Sequence, residues 1–287
     1  MRRRRSKPRA RLLGIAYRIL GTPADAEDVV QDTWIRWQRT DRVAVRNAEA
    51  FLVTTATRLA LTAASSARVR HELYAGPWLP EPIPTGDGGT EHVVERGEAL
   101  ELAVLLLLER LTPHERAVYV LKEAFDYPYR EIAVFLDLTE EHARQLGHRA
   151  RSHVARERGE RVSPAERDRL LRAFLAAAQQ GDVESLQRLL AEHAVAYSDG
   201  GGAVTAARKP VKGRERVALY LSRAVAIHGQ DVRTELVEAN GQHIAYVTGE
   251  GEPLAAAWAE ASAEGIDQVC FVVNPAKLVA LAAAQGA

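Results

Sequence analysis

The chain has 287 residues, of which 47% are hydrophobic and 26% charged, and its 38 Lys/Arg cancel its 38 Asp/Glu. That length and apolar content exclude a largely disordered protein and leave room for two or three domains. A net charge of zero excludes nucleic-acid binding through bulk charge, so such binding must be argued from local clusters. The single cysteine, Cys270, excludes an intrachain disulfide and a zinc-finger spacing, which suits a reducing compartment.

The charge is unevenly placed. Up to Val162 there are 26 Lys/Arg against 23 Asp/Glu, and from Ser163 onward 12 against 15, so the small basic excess belongs to the first half. MRRRRSKPRAR resembles the start of a signal peptide, but the apolar run LLGIAY that follows it is broken at Arg18. The longest apolar run, Leu102 to Leu108, is too short to span a membrane, and a cytoplasmic protein is expected.

From Arg11 to Ala67 the pattern is helical. Pro23 followed by ADAEDVV reads as a helix start, with acids in the first turn where the helix dipole favours them. Val29, Val30, Thr33, Ile35 and Trp37 are expected on its apolar face, leaving Asp28, Gln31, Asp32 and Arg36 polar. A second helix, about 47–67, has Arg46, Arg58, Arg68 and Arg70 around its polar side and ends. These arginines suit phosphate contacts or plain solvation.

The segment 72–98 is rich in Pro and Gly at first and then acidic. Pro77, Pro80, Pro82 and Pro84 stiffen it, so Trp78 and Leu79 in WLPEP are presented for docking rather than buried locally.

Farther on, YREIAVFLDLTEEHARQL has helix-turn-helix spacing. Ala133 is small where two helices cross, Asp137 stands at a turn position that needs left-handed backbone, and Thr139 can cap the second helix. The stripe Ala143, Leu146, Ala150 and Val154 leaves His142, Arg144, Gln145, His148, Arg149 and Arg151 outward. No acid occurs between Glu141 and Glu157, as a major groove lined with phosphates demands. Arg can read guanine and Gln adenine, while His142 and His148 suit backbone or water contacts.

Ser163 and Pro164 start another helix, with Gly181 as its stop. A short helix and strand follow within VESLQRLLAEHAVAYSDGGG, and IAYVTG, LAAAWAEAS and QVCFVVNP read as strands, which makes the C-terminal part α+β. Asp199, Tyr197, His193, His243 and Trp258 are candidate acid/base and stacking groups for a pocket there, but their spacing forms no pair or triad, and an Asp before three glycines commonly forms a turn. No catalytic residue, cofactor or metal site is therefore assigned.

Several of these stretches resemble one family. GIAYRILGTPADAEDVVQDTWIRW with FLVTTATRLAL resembles region two of the extracytoplasmic-function sigma factors of bacterial RNA polymerase, and LERLTPHERAVYVLKEAFDYPYREIA with the helix-turn-helix resembles region four. FLAAAQQGDVESLQRLLAEHAVAYSDGGG resembles the SnoaL-like (NTF2-like) cone-shaped fold, and WLPEP, DGGG and NPAKL in that order resemble the subgroup carrying such an extension.

The resemblance implies a multi-domain protein: all-α region two at 1–71, a linker at 72–98, all-α region four at 99–160 and an α+β regulatory domain at 163–287. It implies docking on core RNA polymerase through Asp28, Gln31 and Asp32. Promoter DNA would be captured by Arg46, Arg58, Arg68 and Arg70, and recognised by Arg144, Gln145, His148, Arg149 and Arg151. The interdomain regulatory residues would be Trp78, Leu79, Pro80, Asp199, Asn274, Pro275 and Leu278, with Trp78 as the docking side chain. An unidentified small molecule is a further expected partner of the C-terminal domain. A one-component DNA-binding regulator sensing such a molecule is the alternative reading.

Overall fold

The computed structural model describes residues 8–72, 74–85, 102–158, 161–228 and 232–285. They fall into two compact units, one of Met1–Leu73 with Thr90–Glu157, the other of Tyr74–Gly89 with Arg158–Ala287. Part of the Pro-rich segment thus packs with the C-terminal half of the chain.

The first unit is helical. Its central helix α1 (Pro8–Leu20) buries every residue from Leu12 to Leu20, as a helix surrounded by others must. Helix α2 (Pro23–Arg39) begins with Pro at its first position and buries Ala26, Val29, Val30 and Thr33. The expected apolar face is narrower than its residue types suggested. Ile35 is 38% exposed, and Trp37 packs at the edge of the bundle against Phe51, ring centroids 5.4 Å apart. Helix α3 (Ala48–Glu72) crosses closely through Ala56, Ala60 and Ala64. Its side chains at 67–72, Arg68 and Arg70 included, lie outside the described residues.

Helices α4 (Leu102–Leu108) and α5 (Pro113–Tyr119) follow. In α5 a capping box joins Thr112 and Glu115, and a π turn at Val120–Ala124 extends the helix. Helices α6 (Tyr129–Leu136) and α7 (Glu140–Arg158) form the helix-turn-helix. Asp137 closes α6 at φ 58° and ψ 50°, the left-handed backbone expected there. The Thr139 hydroxyl accepts the His142 N–H at 3.2 Å, capping α7.

In the second unit, α8 (Pro164–Gln179) is capped by Ser163 and stopped at Gly181, whose φ of 66° suits glycine. Helix α9 (Val183–Leu189) leads into β1 (Leu190–Asp199). After β2 (Val211–Lys212) come α10 (Arg214–His228), β3 (Val232–Ala239), β4 (Gln242–Gly249), β5 (Glu252–Ser262), β6 (Gly265–Val272) and α11 (Val279–Gln285). Among the described residues the strands make a six-stranded sheet in the order β2-β1-β6-β5-β4-β3, with β1–β6 paired in parallel and the other pairs antiparallel. Register shifts in the β1–β6, β4–β5 and β5–β6 pairings give the sheet its bends.

Helices α8, α9 and α10 cover one face through a core that includes Phe174, Leu186, Leu221 and Val269. The opposite face, where strand alternation places Trp258, Cys270 and Val272, is crossed by the strap Tyr74–Thr85. The result is the α+β architecture expected for a SnoaL-like domain.

Candidate functional site

Two polar constellations stand out, one on the surface of α7 and one buried under the strap. On α7, Ala143, Leu146, Ala150 and Val154 are buried, while His142, Arg144, Gln145, His148, Arg149 and Arg151 face solvent. The face is not electrostatically idle. Arg144 pairs with Glu140 one turn before it, and Arg149 Nε donates to Glu115 Oε1 at 3.0 Å. Arg151 lies 3.9 Å from Glu123. Burial alone would raise the Glu115 carboxyl, but hydrogen bonds from Thr112 and the Arg149 guanidinium outweigh it and hold the group below the usual glutamate range. Every arginine expected to reach DNA from the start of this helix thus has an acidic neighbour.

In α2, Asp28, Gln31 and Asp32 are exposed beside Arg36 and Ile35, and among the described residues neither carboxylate makes an ion pair. Arg46 is exposed in the loop between α2 and α3. Arg58 is differently placed: its guanidinium donates to the carbonyls of Phe135 and Val134 at 2.9 and 3.2 Å, closing the C-terminal end of α6. Sequence gave no sign of that, because the partners are backbone atoms 77 and 76 residues away.

The buried constellation centres on Asp199, which has no exposed surface. Its Oδ1 accepts from the Tyr74 hydroxyl at 2.7 Å and the Gly201 N–H at 3.1 Å. Its Oδ2 accepts from the Leu79 N–H at 2.8 Å and Lys277 Nζ at 2.7 Å. Both oxygens are saturated by groups from three segments: the strap, the glycine turn and the NPAKL turn. Lys277 also donates to the Leu79 carbonyl at 2.6 Å and lies 4.0 Å from the centre of the Trp78 ring. Asn274 Nδ2 donates to the Tyr74 hydroxyl at 2.9 Å, and its Oδ1 caps the following 3-10 turn, which begins at Pro275. Burial, aided by the Asp199 charge, pushes the Tyr74 hydroxyl far above its ordinary range, so it serves as a neutral donor.

Of the sequence candidates, WLPEP, Asp199, Asn274, Pro275 and Leu278 are therefore brought together. Trp78 is only half-buried, while the fully buried large apolar side chains of the strap are Leu79 and Ile83, and Pro80 and Leu278 are buried too. Tyr74 and Lys277 were missed. Lys277 lies within NPAKL and a lysine in a short motif was a legible signal, whereas nothing around Tyr74 marked it. A second strap contact is made by Ile83, whose N–H donates to Asn240 Oδ1 at 2.8 Å while its carbonyl accepts the Asn240 N–H at 2.9 Å.

On the opposite, helix-covered face lies a cavity of about 190 Å³ lined by Phe174, Tyr220, Leu254 and Phe271 among others. None of the five candidate acid/base and stacking residues is in its wall. His193 faces Asp267 and Glu264 at the surface, His243 pairs with Asp168 at 2.5 Å, and Trp258 is fully buried in the sheet.

Comparison with known proteins agrees with this geometry. Residues 7–70 match the Sigma-70 region 2 model, and residues 101–154 match the Sigma-70 region 4 model. The chain is 35% identical over 249 residues to the ECF RNA polymerase sigma factor SigJ of Mycobacterium tuberculosis, covering 84% of this chain and 79% of that one. It is 34% identical over 191 residues to the probable ECF RNA polymerase sigma factor SigI of the same species, covering 63% and 64%. The crystal structure of Mycobacterium tuberculosis SigJ superposes with a TM-score of 0.76 at 30% identity, covering 95% of this chain and 96% of that one.

Proposed function

The chain belongs to the extracytoplasmic-function (ECF) sigma factors of RNA polymerase, and we propose from this premise how its parts divide the work. The family is not an enzyme family, and its members work with RNA polymerase and promoter DNA. In this chain residues 1–71 bind core polymerase and melt the promoter, 99–160 read its upstream element, and 163–287 regulate both through the linker at 72–98. The protein acts in the cytoplasm and catalyses no reaction of its own.

The observation that carries the DNA-reading part is the outward face of α7, acid-free from His142 to Arg156 and set by a left-handed turn at Asp137. Gln145, Arg144 and Arg149 would reach base edges, while His148 and Arg151 suit the phosphate backbone. Arg46 and, once released from α6, Arg58 would serve the melted strand, together with Arg68 and Arg70. For polymerase docking, the support is the exposed Asp28, Gln31 and Asp32 surface. For regulation, it is the convergence of Tyr74, Leu79, Asn274 and Lys277 at Asp199, which holds the strap on the C-terminal domain.

Co-purification with core polymerase tests the docking face. Asp28→Lys with Asp32→Lys is expected to lower recovery of the complex at least about tenfold, since reversing two charges at a close interface costs several kcal/mol, while helicity by circular dichroism stays unchanged. Undiminished recovery would remove this face from the proposal. Run-off transcription by the parent chain with core enzyme then tests sigma activity itself.

A further inference from the structure

The cavity on the helix-covered face has a chemistry of its own. Its wall comes from α8, α10, the sheet and the loop after β1, and among the described residues it contains no Asp, Glu, Lys, Arg or His. A charged occupant would lose hydration with only hydroxyl and amide groups, and no opposite charge among the described residues, to compensate it, so the wall favours neutral molecules. About 190 Å³ exceeds the roughly 150 Å³ that suffices for benzene in an apolar cavity, leaving room for one ring with small substituents.

Besides Gln179, Thr205 and Thr234, the mainly apolar wall holds a hydrogen-bonded pair of hydroxyls. Ser198 Oγ and the Tyr220 hydroxyl oxygen lie 2.8 Å apart, and Ser198 is 2% exposed. Two hydroxyl protons serve this pair and their mutual bond uses one. Whichever oxygen accepts keeps a proton free to donate toward the cavity, and lone pairs remain free to accept. A buried hydroxyl with an unspent proton is costly unless a partner meets it.

The same wall touches the groups that hold the strap. Ser198 faces the cavity and its neighbour Asp199, by strand alternation, faces the strap. Thr205 and Ala206 line the cavity and belong to the loop that Asp199 begins, which folds back tightly enough that a Cβ on Gly200 would lie 2.8 Å from the Ala206 Cβ. Val273 lines the cavity too, and its N–H donates to the Asp199 carbonyl at 2.9 Å. An occupant pressing on this wall therefore presses on both sides of the Asp199 anchorage.

We propose that this cavity is a binding site for an uncharged, single-ring aromatic molecule bearing one hydroxyl or carbonyl group, and that its occupancy alters how firmly Asp199 holds the strap. The second half rests on the regulatory reading above; the first does not.

The test uses the full chain and three probes, p-cresol, toluene and 4-methylbenzoate, titrated by calorimetry. p-Cresol is expected to bind about 3–10-fold more tightly than toluene, the effect of one hydrogen bond, and 4-methylbenzoate at least about 100-fold more weakly than p-cresol because its charge is unmatched. Ser198→Ala with Tyr220→Phe, which removes both hydroxyls, is expected to remove the advantage of p-cresol over toluene. Ala255→Phe, from a half-buried strand position in the wall, is expected to abolish both. Absence of saturable binding to the parent chain would overturn the site, as would an unchanged p-cresol preference in the double variant or unchanged binding in a folded Ala255→Phe. Should Ala255→Phe not fold, the ratio in Ser198→Ala with Tyr220→Phe decides.

Hydrogen exchange at the Leu79 amide reads the coupling. Saturating p-cresol is expected to change its rate at least about threefold, and an unchanged rate at saturation would overturn the coupling. Run-off transcription without any probe tests the sigma reading separately, so a chain that transcribes but binds no probe loses only this proposal, and one that binds p-cresol without transcribing loses only the other.

Discussion

The two polar constellations use the same ion-pair chemistry in opposite surroundings. On α7, Arg149 and Arg144 are 57% and 62% exposed at their side chains, whereas Lys277 and Asp199 under the strap are 8% and 0% exposed. An exposed pair is worth roughly 0–1 kcal/mol, because water and salt compete with it. It can be exchanged for a phosphate at almost no loss. A buried pair is weak evidence of net stability, but removing one partner strands a charge in a dry site. The first arrangement suits a surface that must change partners, the second a joint that must either hold or open completely.

Breaking the buried pair should give the largest effect. Lys277→Met leaves the buried Asp199 carboxyl without its cationic donor, and is expected to destabilise the strap-bound state by about 3–5 kcal/mol. The combined change Lys277→Met with Asp199→Asn should cost less than the two single changes added together, because the stranded charge is gone. Hydrogen exchange across Tyr74–Thr85 in each variant measures this, and strict additivity would show that the two groups act separately. Leu79→Ala should loosen the same segment by about 2–5 kcal/mol, more than Trp78→Ala, since Leu79 is the fully buried side chain.

This ranking reverses what WLPEP suggested on its face, and the reason is instructive. Prolines spaced along the strap did announce a stiff, presented segment, but stiffness does not say which of two adjacent side chains turns inward. That is set by Lys277, which occupies the Trp78 ring face from a position 199 residues later. Local rules were more reliable where both partners lie within one turn: the left-handed Asp137, the Thr139 cap and the Gly181 stop are all as expected. Strand β3 went unassigned because Glu, Leu and Ala in VRTELVEA favour helix, and its pairing with β4 overrides that preference. Helix α10 also went unassigned, although Val217 and Leu221 recur one helical turn apart. Arg58, expected on DNA, here closes α6 through backbone carbonyls that no residue pattern reveals.

A smaller effect is expected on the exposed face. Gln145→Ala or Arg149→Ala should cost about 1–3 kcal/mol at particular upstream bases if each makes a base contact. A base-substitution series at fixed salt checks this. Loss spread evenly over all promoter variants would mark the residue as a backbone contact.

The smallest effect concerns the neighbour that Arg149 gives up on binding. Glu115→Gln keeps the capping-box hydrogen bond but frees Arg149, and is expected to tighten duplex binding a few-fold at low salt, an effect of about 0.2–1 kcal/mol. The pH dependence has a definite sign. The folded-state carboxyl lies below its unfolded value, so the contribution of this pair is complete above the ordinary glutamate range and is lost as pH falls through the lowered value. DNA affinity unaffected by Glu115→Gln between low and high salt would mean that the pair does not compete with phosphate.

The parallel pairing of β1 and β6 sets a clock. It brings Asp199 beside Val272 and so delivers the NPAKL turn to the glycine turn, but β6 is the last strand in the chain. A ribosome working at about 5–20 residues/s needs roughly 6–24 s to travel the approximately 120 positions from the end of α7 to Lys277. During that interval every newborn molecule carries its helix-turn-helix in full, while the lysine that fastens the strap has yet to be made.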